Sequence, residues 1–252
     1  MLIVRNEAHC LGQCLKSIAS IVDEIIVLDS GSNDDTVAIA RSFGANVEIV
    51  DWVGYGPQRN RALARARCEW VLSIDADERV SPQLAASIRD AVHSPRTEVN
   101  GWFIPFLATW CGKPVRFGDW AGKQHLRMFR RTRGRFTNAL IHERVLCPPP
   151  YGTLGGLMLH DTIASVEEAL EKTMRYAELS AQREAAEGRG GFWTALAHCS
   201  WTFTRGYLLK GGFLDGVVGW RVAKATACGS WLRYRLAGQK LLAQHHSTVD
   251  NS

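Results

Sequence analysis

Asp75 and Asp77 stand one residue apart in the stretch Trp70-Val-Leu-Ser-Ile-Asp-Ala-Asp-Glu78. The apolar run before them has the character of a buried parallel strand, and on a regular strand positions i and i+2 face one side. Two carboxylates at such an end can hold a hard divalent cation, a ligand's phosphates completing the shell. Ligands of open α/β sheets also gather beyond the carboxyl ends of the strands. A solvated acidic turn before the helix begun by Ser81-Pro82 would carry the same letters, so the pair has to be judged by its surroundings.

Those surroundings alternate strand and helix. Met1–Val4 is a short apolar run, and Leu11, Cys14, Leu15 and Ile18 then recur at helical spacing. Glu24-Ile-Ile-Val-Leu-Asp29 is a second strand ending in an acid, and Ser32 or Asn33 can cap the helix after it. Residues 47–50 form a third strand; Gly54-Tyr-Gly-Pro57 is a loop, and Gln58-Arg59-Asn60 opens a helix. This order predicts βαβ units around a sheet with helices on its faces.

With 252 residues, 46% of them hydrophobic and 22% charged, the chain can bury a full core, and a disordered class is excluded. The net charge of +5 favours acidic partners such as nucleotides or anionic membrane surfaces. Seven scattered cysteines with no metal-ligand spacing predict a reduced, cytosolic chain. No secretory-leader pattern and no apolar window long enough for a spanning helix is present.

Beyond residue 95 the rhythm changes. Gly101–Phe106 and Gln124–Arg130 are predicted strands, and eight Lys/Arg between Lys113 and Arg135 face a single acid, Asp119. That run can grip a phosphorylated acceptor, or be a solvated positive face. Gly188-Arg-Gly-Gly191 is the clearest linker signal. Residues 189–240 hold eight basic residues, one acid and nine aromatics, a composition suited to the interface of an anionic membrane, though the rings can instead pack helices together.

Taken together, Arg5-Asn-Glu-Ala8, Glu24–Thr36, Gly54-Tyr-Gly-Pro-Gln-Arg-Asn60 and Leu72-Ser-Ile-Asp-Ala-Asp-Glu78 resemble the inverting, nucleotide-sugar-dependent glycosyltransferases of family 2. With His142-Glu143 and Gly211-Gly-Phe-Leu-Asp-Gly216, the chain is similar to the bacterial lipopolysaccharide core branch of that family. The resemblance implies a GT-A fold: an α/β Rossmann-like mixed sheet with a C-terminal helical appendage. It divides into a catalytic domain over 1–160 (donor half to about 95) and a helical region over 161–252. The stretch Gly118-Asp-Trp-Ala-Gly122 departs from the Tyr-Pro-Asp of the family.

The resemblance implies donor contacts from Asn6, Glu7, Asp29, Ser30, Gly31, Gln58, Arg59, Asp75 and Ala76. Glu7 and Asp29 would line the base and ribose pocket, Arg59 would approach the diphosphate, and Asp75 and Asp77 would hold Mg²⁺ or Mn²⁺. Replacing either aspartate with alanine is expected to end turnover without unfolding the chain. His142 and His160 are candidates for a further metal ligand, each equally readable as a buried structural histidine. Glu143 is the expected base for the acceptor hydroxyl, with Asp119 second. The expected partners are a UDP-sugar, UDP-glucose foremost, a lipid-linked saccharide, and the cytoplasmic face of the inner membrane; nucleic acid is not expected. Two rivals share some of these features: a nucleotidyltransferase, whose Gly-rich basic loop after the first strand is lacking here, and a non-catalytic membrane or nucleic-acid binder.

Overall fold

The structure, a computed structural model, describes residues 1–93, 98–140 and 143–249, with side chains up to residue 243 in the last segment. It divides into two compact units, Met1–Leu107 with Lys123–His160, and Ala108–Gly122 with Asp161–Ser252. The basic, Gly-rich segment 108–122, read from sequence with the catalytic half, thus belongs to the second unit.

In the first unit, β1 (Leu2–Val4), β2 (Ile26–Asp29) and β3 (Asn46–Ile49) form a parallel sheet in the order β1-β2-β3, joined by α1 (Ala8–Ile18) and α2 (Thr36–Ser42). Four consecutive buried residues make up β2, the pattern of a strand covered on both faces. After α3 (Tyr55–Arg65) come β4 (Trp70–Leu72), β5 (Glu78–Val80) and α4 (Pro82–His93). The end of β4 runs alongside β1, Met1 donating its terminal amine to the Leu72 carbonyl at 2.8 Å and the Ile74 amide donating to the Met1 carbonyl at 3.2 Å, while on its other side β4 pairs antiparallel with β8 (Gln124–Arg130). The larger sheet runs β4-β8-β6-β12-β5, with β6 at Gly101–Trp110 and β12 at Met158–Ile163. Two short strands edge β6: β7 (Lys113–Pro114), antiparallel, and β11 (Tyr151–Thr153), parallel. A separate antiparallel pair joins β9 (Arg135–Phe136) to β10 (Val145–Leu146). Leu11, Leu15, Ile74, Leu84, Ile104 and Met158, each almost wholly buried, anchor the core of this unit.

The second unit is helical. It contains α5 (Val166–Ala186), α6 (Phe192–Phe203), a π-helical turn (Thr204–Leu209), a 3₁₀ turn (Gly212–Asp215) and the long α7 (Gly216–Val249). Small residues let α5 and α7 approach closely, with Ala181, Ala185 and Ala237 in one buried cluster. The glycines at 188–191 are a packed turn and not the linker their composition predicts: a Cβ on Gly190 would lie 2.4 Å from the Gly238 nitrogen.

Candidate active site

Loops at the carboxyl ends of β1 and β2 interlock first. Asn6 sits at φ 57°, a left-handed conformation that asparagine tolerates. Its Oδ1 accepts from the Asn33 amide at 2.8 Å, and its own amide donates to Ser32 Oγ at 2.8 Å. The Glu7 amide donates to Thr36 Oγ1, and the Ala8 amide to Asp34 Oδ2. Asp29 is fully buried; its carboxylate accepts from the Gly31 and Ser32 amides, each at 2.9 Å, and from the Ser32 hydroxyl. Asp29 therefore shapes the 30–32 loop, whose turn places Gly31 at φ 84°.

The first turn of α3 brings in Gln58 and Arg59. Gly56 permits this: a Cβ there would lie 1.9 Å from the Thr137 carbonyl oxygen. Gln58 Nε2 donates to Ser30 Oγ at 3.1 Å, while its buried Oε1 has no partner among the described residues. Arg59 turns inward, donating from Nε to Glu143 (2.7 Å), from Nη1 to Ser73 (2.9 Å) and from Nη2 to Asp75 (2.6 Å). All three of these nitrogens are engaged inside the protein, where the sequence had pointed them at a diphosphate.

Asp75 lies beyond the end of β4 at Leu72, in a loop, so the i, i+2 parity of a strand does not govern it and Asp77. Its second oxygen accepts from Arg127 Nη2 at 2.9 Å, and the same nitrogen donates to Glu78 at 2.8 Å. Glu78 Oε2 in turn accepts from the Asp75 amide at 2.9 Å. The result is a chain of alternating charge: Glu143, Arg59, Asp75, Arg127, Glu78. Burial alone would raise the Asp75 carboxyl, but the two guanidinium groups outweigh it and hold it well below the usual carboxylate range. Burial pushes Glu78 up despite Arg127. In the sequence Arg127 is one of eight basic residues between Lys113 and Arg135, and no local pattern sets Glu78 apart as its partner. The available signal was Arg127 two residues from His125, on the opposite parity to buried Met128.

Asp77 has a different partner. Its Oδ2 is 3.2 Å from His160 Nε2, and both side chains are about one-third exposed (33%). Burial opposes charge on His160, but Asp77 prevails and raises its pKa. Phe106 packs edge-on against His125 and lies under the Arg127 guanidinium, walling this corner. Burial, reinforced by the charge on Asp77, pushes Glu7 up against a hydrogen bond from Cys10 that lowers it. Glu7 thus belongs to the same acidic neighbourhood.

A carboxylate and an imidazole are a donor set that Mn²⁺ can accept, and Asp77 with His160 fit such an ion; Mg²⁺, which takes oxygen ligands, would use the Asp77 carboxylate and not the imidazole. Asp75, with an arginine on each oxygen, fits the role of a neutralised support. Ala76 is buried between them. His142 lies outside the described residues. Among those described, Glu7, His9 and Cys10 also bring ligand atoms within 4.8 Å of one another. Glu143 presents Oε1 to Arg59, and no hydrogen bond to its Oε2 is found among the described residues. Asp119 is placed in the second unit, where Arg205 (2.8 and 3.1 Å) and Lys210 (2.9 Å) hold its carboxylate.

Residues 1–140 match the family model described as glycosyl transferase family 2. A glycosyltransferase of Rickettsia prowazekii, itself uncharacterized, is 28% identical, over 99% of this chain and 90% of its own. The lipopolysaccharide core biosynthesis glycosyltransferase LpsC of Rhizobium meliloti is 28% identical, over 93% of this chain and 92% of its own. Among solved structures, glucosyl-3-phosphoglycerate synthase from Mycobacterium tuberculosis, in complex with Mn²⁺, UDP and glucosyl-3-phosphoglycerate, is 27% identical over 44% of this chain and 43% of its own, with a TM-score of 0.34.

Proposed function

The chain belongs to glycosyl transferase family 2, with the GT-A class of α/β fold, and from that premise we propose that it moves a sugar, with inversion, from a UDP-sugar to a lipid-linked saccharide of the lipopolysaccharide core. It is a glycosyltransferase; the donor, acceptor and stereochemistry are the proposal. One observation carries it above all: Asp77 meets His160 beside an Asp75 already neutralised by two arginines, an acid–imidazole pair where the loop between β4 and β5 faces β12. UDP-glucose is the first donor to test, on the family likeness, and LpsC supports a core saccharide as acceptor. The enzyme would work at the cytoplasmic face of the membrane; among the described residues no helix is long and apolar enough to cross one.

In this reading the interlocked 6–8 and 30–36 loops form the floor of the nucleoside pocket, with Glu7 and Gln58 Oε1 as acceptors for base or ribose donors. A divalent ion held by Asp77 and His160 would neutralise charge on the departing diphosphate. Arg59 positions Glu143, whose Oε2 takes the proton of the attacking acceptor hydroxyl. The hydroxyl oxygen bonds to the anomeric carbon from the face opposite the diphosphate. The old glycosidic bond breaks with its electron pair on the nucleoside diphosphate.

The test is transfer from labelled UDP-glucose to a purified core acceptor, with Mn²⁺ or with excess chelator, in wild type and in Asp77→Ala and His160→Ala. Loss of activity in chelator and in both variants, with folding retained, is the expected result. Undiminished transfer in chelator removes the metal role, and release of pyrophosphate in place of UDP moves the chain to the nucleotidyltransferases.

A further inference from the structure

We propose that the turn joining α6 to α7 is the part of this chain that docks on an anionic lipid bilayer, its apolar tip being Leu208, Leu209, Phe213, Leu214, Val217 and Trp220. The inference deepens the reading of a lipid-linked acceptor and rests on it.

The local sequence builds an outward-facing apolar tip. The π-helical turn ends at Leu209, and Gly211 at φ 69° reverses the chain in a conformation that favours glycine. The return is tight, because a Cβ on Gly219 would lie 1.7 Å from the Gly212 carbonyl oxygen. Charged groups around the tip are drawn inward. Asp215 accepts from the Arg116 and Phe117 amides at 2.8 and 2.9 Å, and Asp119 is held by Arg205 and Lys210. Both acids that would repel a lipid phosphate are therefore already satisfied.

The leucines are left in water. Leu209 and Val217 are each 67% exposed and Leu214 59%, large apolar side chains gathered within residues 208–220 and left in water, as at an interaction site. Behind it, Tyr207 packs against Phe203, Phe213 and Trp220, so the tip is braced by rings of the type favoured at headgroup depth. Arg221 and Lys224 are exposed on the first turns of α7, and Asp215 is the one acid between 189 and 240. Apolar insertion flanked by exposed cations matches an anionic interface. A second copy of the chain is the poorer occupant, since a two-fold contact through this tip would set its basic flanks against each other.

The experiment is co-sedimentation of the full-length protein with vesicles of phosphatidylglycerol and phosphatidylethanolamine, and with phosphatidylcholine alone. Wild type is compared with Leu209→Glu/Leu214→Glu and with Leu170→Glu/Met174→Glu, a control on α5, where both residues are also exposed. Circular dichroism and transfer to a detergent-dispersed acceptor report whether each variant is folded. Wild type and the α5 control are expected to bind anionic vesicles, and the tip variant to bind at least about tenfold more weakly with its detergent-phase activity intact. If the tip variant binds like wild type, the tip assignment is overturned while the peripheral reading stands. If wild type ignores anionic vesicles, both fall. A wild-type dimer that the tip substitutions dissociate, without vesicle binding, makes the tip a self-association surface and overturns the proposal.

Discussion

Each carboxylate near β4 is defined by the cation it meets, and that decides what its substitution reports. Glu78 is almost fully buried and relies on Arg127 for charge compensation. Arg127→Met is therefore expected to cost about 3–5 kcal/mol, the usual penalty for stranding one member of a buried pair. Urea denaturation of this variant, of Glu78→Met and of the double variant should show the double far less destabilised than the sum of the two. Asp75→Ala would leave Arg59 and Arg127 with no acid between them, so its lost activity would come with lost stability, whereas Asp77→Ala should lose activity alone. Asp75, Asp77, Glu7 and Arg59 were all legible in the sequence as chemistry-bearing positions. Their division of labour was not, because it depends on Arg127, 52 residues from Asp75, and on His160, 83 residues from Asp77.

Whole elements depend on a few close approaches. Gly56→Ala would push the start of α3 off the Thr137 carbonyl, at about 1–3 kcal/mol, and displace Gln58 and Arg59 with it. A lower melting temperature with a raised KM for the sugar nucleotide is the expected result. In the second unit, Asp119 ties the short turn Gly118–Trp120 to the π-helical turn. Burial opposes its charge, but Arg205 and Lys210 overcome that and depress its pKa. A depressed acid stabilises the folded chain above its unfolded pKa and loses that contribution as pH falls through the folded value. Asp119→Asn should then lower stability at pH 7 by about 1 kcal/mol, with the difference from wild type vanishing toward strongly acidic pH in a thermal-denaturation series. Several strand positions were readable from periodicity, Gln124–Arg130 to the residue, but β5 and β12, which carry Glu78 and His160, were not. The antiparallel pairing of β4 with β8 was not, since nothing local in either strand names its partner. The glycines at 188–191 misled for a related reason: composition marks freedom and close packing with the same letter.

At the level of the molecule, a ligand that binds only the folded form must raise its stability. UDP-glucose with Mn²⁺ at a hundredfold over Kd should add about 2.7 kcal/mol, read as a rise in melting temperature. The rise should shrink in Asp77→Ala and in His160→Ala. The match to the family model ends at residue 140, yet Glu143 and His160 lie beyond that boundary, while their partners Arg59 and Asp77 precede it. This has a practical corollary for anyone recombining members of the family. A chimera joined at the edge of the shared stretch would inherit one half of each of these pairings from either parent, and incompatible halves would blunt the enzyme however well both parents folded. A crossover placed after His160 keeps both partnerships in one inheritance.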